Sequence, residues 1–174
     1  AQKFLRESTG IEIMSYVEQV GAIQSCIDHD KVSPEDIEHN IVRCPDQEAA
    51  TKMINLIREV QADGDSIGGV IRGVIRNVQP GLGEPVFDKL HADLGKAMLS
   101  INAVKGFEIG LGFNAVHLRG SQHNDPFVVD ESGNVTTRTN NAGGVLGGIS
   151  TGSPISFRVA FKPVATIAKE QDTV

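Results

Sequence analysis

A glycine-rich segment, Gly143–Gly148, is the first place in the sequence where a backbone could approach a ligand closely. Glycine has no side chain to hold a phosphate or a ring away, and free backbone N–H groups bind anions. The segment lacks the Lys-Ser/Thr pair of a phosphate-binding loop and the glycine spacing of a dinucleotide site. The pattern alone therefore favours a tight structural turn, by about two to one, over a ligand contact.

Two polar residues, Asn102 and Lys105, follow a predicted helix and precede Gly106. Helix-terminal carbonyl and amide groups are uncommitted at such a place, so they could bind a ligand, although an ordinary helix cap has the same pattern. The five histidines show no metal-ligand spacing, and a surface or structural role is favoured for each. No metal site and no catalytic triad is predicted, and the residues alone leave anion or cofactor binding open.

The composition indicates one globular domain, and the pattern of predicted helices and strands indicates mixed α and β structure. The 174 residues are 40% hydrophobic and 22% charged, which is enough to bury a core. The net charge of −6 and the lack of a basic run argue against nucleic acid as a partner. No apolar run reaches the ~20 residues that span a bilayer, so we expect no membrane segment. The two cysteines lack CxxC spacing and predict free thiols in a reducing compartment, the cytoplasm.

Apolar periodicity and turn residues predict alternating helices and strands. Ile11–Val20 is expected to be a strand with Ile13 and Val17 on the buried face and Glu12 and Glu18 outside. The predicted helices cover residues 1–8, a short segment after Ser33–Asp36, residues 46–63, and a segment from Pro85 to Ile101 that includes Val86. The other predicted strands are Ser66–Val78, a segment from Phe107, and residues 155–161, with a polar and mobile loop at about 121–140.

Several long motifs resemble chorismate synthase, in the family's order and spacing. They are Gly64–Gly69, Gly81–Leu90, Met98–Gly110, Arg119–Ser121, Thr139–Gly144, Gly147–Ser150 and Lys162–Pro163. The resemblance covers residues 1–174 as the central part of a single domain, with the N-terminal and C-terminal parts of the family pattern absent. It implies an α+β fold, a β-α-β sandwich with helices packed between antiparallel sheets, and a homotetramer.

The resemblance also implies a reaction and its partners. The family eliminates phosphate from 5-enolpyruvylshikimate 3-phosphate in a 1,4 sense and forms chorismate, with reduced FMN as cofactor. Some members reduce the flavin themselves with NADPH, and others depend on a separate reductase. A cytoplasmic location is implied, or a plastid if the source is a plant.

The family's flavin contacts can be carried over to this sequence only where the motifs match. They correspond to Asn102, Ala103, Gly147, Lys162, Pro163, Val164, Ala165 and Thr166. Val164 stands where threonine is usual, which a backbone contact would tolerate and a hydroxyl contact would not. None of the five histidines falls on the family's catalytic positions, so no catalytic residue is assigned. The alternative is therefore a noncatalytic fragment that folds, self-associates or binds flavin weakly.

Overall fold

The computed structural model describes residues 1–133 and 135–172, so Asn134 in the predicted loop, Thr173 and Val174 lie outside the described residues. The chain divides into two compact units. The first unit comprises Ala1–Ser15, Gly73–Ile101 and Phe107–Arg158. The second unit comprises Tyr16–Arg72, Asn102–Gly106 and Val159–Val174.

Helices and strands alternate along the chain, as the sequence predicts. The helices are α1 (Gln2–Thr9), α2 (Pro34–Glu38), α3 (Gln47–Ala62), α4 (Leu90–Leu99) and α5 (Gly120–His123), with a 3-10 helix at Gly112–His117. The strands are β1 (Glu12–Val20), β2 (Ile23–Gln24), β3 (Gly69–Arg76), β4 (Val104–Ile109), β5 (Phe127–Val129), β6 (Val135–Thr137), β7 (Val145–Leu146), β8 (Ile149–Ser150) and β9 (Ile155–Phe161).

Five strands form the main sheet, in the order β2-β1-β3-β9-β4. β1 and β2 are antiparallel, with Val20 opposite Ile23. Two further antiparallel hairpins pair β5 with β6 and β7 with β8. Helices together with antiparallel strands confirm the predicted α+β class.

Local hydrogen bonds explain where α2 and α3 begin. The Ser33 hydroxyl accepts from the Asp36 N–H while the Asp36 carboxylate accepts from the Ser33 N–H, which is a complete capping box. Asp46 accepts from two N–H groups at the start of α3. The apolar stripe of α3 packs Ala50 and Met53 into the core of the second unit, as predicted.

The helix predicted from Pro85 begins later than its apolar pattern suggests. Val86 is 65% exposed and precedes α4, which begins at Leu90. The preceding segment forms a turn in which the Glu84 N–H donates to the Asp88 carbonyl at 2.9 Å. Ile101 also lies outside α4, whose C-cap is Ser100. The strand predicted at Ser66–Val78 is shorter, and the strand predicted from Phe107 begins at Val104.

The prediction of which face of β1 is buried was wrong. Alternate residues Met14, Tyr16, Glu18 and Val20 are the buried ones, and Glu18 is only 2% exposed. Arg72 on β3 donates through Nε and Nη2 to Glu18 Oε1 at 2.9 and 2.6 Å. A charged residue can occupy the buried face because its partner is buried with it.

A histidine adjoins this pair within the second unit. His29 Nε2 lies 3.8 Å from Glu18 Oε1, and His29 Nδ1 lies 2.6 Å from the Tyr16 hydroxyl. Burial lowers the pKa of His29, and the Arg72 guanidinium lowers it further, whereas the Glu18 carboxylate opposes both. Tyr16, Glu18, His29 and Arg72 therefore form one polar cluster, the Glu18 cluster.

The segment predicted as a loop at about 121–140 contains a regular hairpin. β5 and β6 pair with Val129 opposite Val135, and α5 precedes them. Its mobility stays a prediction. Over residues 1–133 and 135–172, none of the helices has both the length and the apolar character to cross a membrane.

Candidate functional site

Two of the predicted flavin contacts, Asn102 and Ala103, form the turn between α4 and β4. Asn102 is exposed, and Ala103 has a φ of 68°, in the left-handed region that non-glycine residues seldom adopt. The Ala103 carbonyl accepts a hydrogen bond from the Lys162 N–H at 3.0 Å. This bond brings the turn next to the second predicted contact segment, which follows β9.

That second segment, Lys162–Thr166, is exposed at all five positions. The Val164 carbonyl accepts from the Ser66 hydroxyl at 2.6 Å. A Cβ on Gly68 would lie 2.5 Å from the Phe161 carbonyl oxygen, so the residue before β3 can approach β9 only as glycine. Because Val164 is held through its carbonyl, this anchor does not depend on the side chain at position 164.

Residues just beyond the segment hold it to the turn after α3. The Ala168 N–H donates to the Gly64 carbonyl at 2.8 Å. The Lys169 ammonium lies 3.1 Å from Asp65 and 3.7 Å from Asp63. The Ser66 N–H and then the Lys169 ammonium lower the pKa of Asp65, so its carboxylate stays charged in this contact. The exposed segment is thus fixed at Lys162, Val164, Ala168 and Lys169.

The side chains of this surface suit an anionic, polar ligand. Asn102 makes no side-chain hydrogen bond to the part of the chain that the structure describes, and its amide is exposed. The Lys162 ammonium reaches the Pro163 carbonyl at 3.1 Å and is otherwise open to solvent. An ammonium and an amide can donate to a phosphate and to the polar edge of a ring, so this donor set fits the polar parts of FMN.

Gly147 belongs to the first unit, where it forms the turn between β7 and β8 together with Gly148. Their φ values are 60° and 95°, which a two-residue hairpin turn requires and glycine adopts at little cost. The tight turn favoured by the pattern is therefore present. A Cβ built on Gly147 meets no atom within 4 Å, whereas one on Gly148 would lie 2.5 Å from Lys89 Cγ, so the turn is open only at Gly147.

Sequence reasoning missed Ser66 as a site residue, although it lies within a motif that carries the resemblance. Its hydroxyl contacts the segment 98 residues away, and only the fold reveals that contact. No group of three or more potential metal ligands occurs among residues 1–133 and 135–172.

The structure is that of an α+β protein in which the Asn102–Ala103 turn is hydrogen-bonded to the exposed segment that begins at Lys162. Comparison with known proteins then gives the family. The chorismate synthase family model matches residues 1–174, and the chain belongs to that family.

Relatives and a solved structure agree with this assignment. The chain is 56% identical over 174 residues to "Chorismate synthase" of Gloeothece citriformis, covering 100% of this chain and 48% of that protein. It is 52% identical over 177 residues to "Chorismate synthase, chloroplastic" of Capnoides sempervirens, covering 40% of that protein. The solved structure "Crystal Structure of Chorismate Synthase" superposes with a TM-score of 0.82 at 36% identity, over 94% of this chain and 53% of that one. The chain thus spans about half the length of these relatives.

Proposed function

We propose that this chain is the flavin-contacting part of a chorismate synthase that converts 5-enolpyruvylshikimate 3-phosphate to chorismate by 1,4-elimination of phosphate. One observation carries the proposal. Ala103 and Lys162, predicted separately as flavin contacts, are joined by a backbone hydrogen bond of 3.0 Å. Family membership supports the reaction, and this junction supports the place of the cofactor.

The role proposed for these residues is to hold and orient. Asn102 would donate its free amide to the ring edge, and Lys162 would pair its ammonium with the cofactor's phosphate. Reduced FMN, when bound, supplies transient electron density as the substrate loses phosphate. The left-handed Ala103 and the anchored Val164 carbonyl keep the two segments in one arrangement before the ligand arrives, which lowers the ordering cost of binding.

The remaining partners are proposed on family grounds. They are the phosphorylated enolpyruvyl substrate, NADPH where the flavin is reduced by the same protein, and further copies of the protein in a homotetramer. The location proposed is the cytoplasm, or the plastid in a plant, as the name of the Capnoides sempervirens relative states for that protein.

Anaerobic titration with reduced FMN tests the site. We expect Asn102→Ala and Lys162→Ala each to weaken binding about tenfold, because each removes a hydrogen bond or ion pair to the ligand. Asn114→Ala and Lys96→Ala are matched controls, since both residues are exposed in the first unit and are not predicted contacts. Equal losses in the controls, or unchanged affinity in both site variants, would contradict the proposed contacts.

Phosphate release decides between the lyase and the noncatalytic fragment. The fragment reading is favoured by the coverage of 48% of the Gloeothece citriformis relative and by the lack of an assigned catalytic histidine. Phosphate release that depends on reduced FMN supports the lyase. Flavin binding without release supports the fragment, and in that case the reaction belongs to a longer protein that contains this chain.

A further inference from the structure

A cavity in the first unit has the composition of a small-molecule site that the proposed flavin contacts do not use. It measures about 490 Å³ and is bounded by α4, β4, the 3-10 helix and the end of α5. Cavities of about 300–1,000 Å³ hold small ligands, and most combine apolar walls with a few placed polar groups. Here Phe107, Phe113 and Val116 supply apolar wall, and His91 and His123 supply polar groups.

The two histidines are the available polar groups of this cavity. Both are part-buried, and neither imidazole makes a hydrogen bond to another residue within 1–133 or 135–172. The other two polar side chains of the lining are engaged. Glu108 accepts from Arg158 Nη1 at 2.5 Å and from the Phe113 N–H at 2.9 Å, and the Asn141 amide donates to the His123 carbonyl at 3.0 Å. A ligand in the cavity would therefore find imidazole donors and a carboxylate that is already neutralised.

Several hydrogen bonds hold the segment that follows His123. The Asp125 carboxylate accepts from the Asn141 N–H, the Ala142 N–H and the Thr139 hydroxyl at 2.8, 2.9 and 2.7 Å. Burial raises the pKa of Asp125, but these hydrogen bonds outweigh it and hold the pKa below its ordinary value. The Asn141 amide also donates to the His123 carbonyl at 3.0 Å. His123 is thus hydrogen-bonded through its carbonyl to Asn141, which also lines the cavity.

The aromatic wall is fixed in the same way. Gly95 of α4 lies over Phe107, where a Cβ would be 3.3 Å from the ring, and Phe107 packs on Phe157 with ring centroids 5.7 Å apart. Phe113 is 77% exposed at the mouth, so the cavity opens to solvent beside a second aromatic ring. Two rings that line a cavity favour a flat, apolar ligand body.

We propose that this cavity binds a small aromatic carboxylate, with its ring against Phe107 and Phe113 and its carboxylate hydrogen-bonded by His91 and His123. The imidazole N–H groups select the carboxylate, and the size and aromatic wall select a single-ring body. The pre-formed walls mean that little ordering is needed on binding. The site lies entirely in the first unit and does not depend on the proposed flavin contacts.

Fluorine NMR of 4-fluorobenzoate with the 174-residue protein tests the inference. We expect saturable line broadening with a Kd on the order of 1 mM, as for a ligand of this size. His91→Ala and His123→Ala should each raise the Kd about five- to tenfold, because each removes one hydrogen bond to a charged group. His117→Ala is the matched control, since it is exposed at the end of the 3-10 helix and does not line the cavity. Uncharged 4-fluorobenzamide should bind several-fold more weakly than the carboxylate.

A measurement on the unaltered protein guards against variants that fail to fold. The imidazole NMR signals of His91 and His123 should shift during the titration with the same Kd, while the signal of exposed His39 in the second unit stays in place. Absence of saturable binding up to about 20 mM would overturn the proposal. So would a Kd that neither histidine variant changes, or signal shifts confined to His39 and His117.

Discussion

Each unit contains a glutamate–arginine pair, and the two pairs differ in what else they contact. Glu18 and Arg72 of the second unit have side chains 2% and 10% exposed, and Arg72 donates from both Nε and Nη2 to one glutamate oxygen. Glu108 and Arg158 of the first unit are 14% and 20% exposed, and the second glutamate oxygen accepts from the Phe113 backbone. The same two residue types thus form a buried charge pair in one unit and a loop anchor in the other.

The two pairs differ in how much stability should be lost when the arginine is removed. Loss of Arg72 would leave a carboxylate that is almost wholly removed from water, which is among the most costly changes in a protein. Glu108 without Arg158 would keep a backbone donor and some solvent. The Glu18 cluster also contains His29, whose Nε2 lies 3.8 Å from Glu18 Oε1, so this pair adjoins a group whose ordinary pKa is near neutrality.

Arg72→Met should have the largest effect on stability and tests the buried pair. We expect it to lower the free energy of unfolding by about 3–5 kcal/mol, because it removes the guanidinium that pairs with the buried Glu18 carboxylate. Urea denaturation measures the change, with Arg58→Met on the exposed face of α3 as the matched control. The double variant Glu18→Leu/Arg72→Met should recover much of the loss. A double variant no more stable than Arg72→Met would argue against an uncompensated charge as the cause.

Arg158→Met tests the first unit in the same assay. Its expected cost is smaller, about 1–2 kcal/mol, since Glu108 retains the Phe113 N–H and partial access to water. A loss as large as that of Arg72→Met would show that burial of the glutamate does not set the difference between the two pairs.

The smallest expected effect is a pH dependence confined to the Glu18 cluster. The folded-state pKa of His29 lies below its ordinary 6.5, so the unfolded chain binds the proton more readily. Stability should therefore be fully present above about pH 6.5 and fall as the pH drops through that value towards the folded pKa. His29→Gln should reduce the pH dependence of the thermal unfolding midpoint. The midpoint is measured between pH 5 and 7.5, about one to two units on either side of the ordinary histidine pKa. His117→Gln, at an exposed position, should leave the slope unchanged, and an equal slope in wild type and His29→Gln would contradict this account.

Local patterns predicted most of the helices and strands. Neighbouring residues suffice to predict the helix caps at Ser33 and Asp46 and the alternating burial of β9. The structure contains all three. The start of α4 was missed because an apolar period continues through Val86, where a turn closed by Glu84 and Asp88 replaces the helix. The spacing of apolar residues alone does not reveal such a turn.

Long-range partners explain the other differences. Glu18 was assigned to the solvent face because its partner, Arg72, lies 54 residues away. The cavity histidines, His91 and His123, carry no spacing signal, since only the fold brings them to one cavity. The proposed flavin contacts came from family resemblance, and the hydrogen bond between Ala103 and Lys162 is visible only in the structure.

The left-handed backbone at Ala103 has an evolutionary consequence. A non-glycine residue in this conformation costs about 1–2 kcal/mol, so glycine would relieve strain at that position. Selection for stability alone would then favour glycine. The methyl group of Ala103 is the one side-chain carbon this residue can offer a ligand, so selection for binding would favour alanine. If Ala103 contacts the cofactor as proposed, the gain in binding would offset the strain of its backbone.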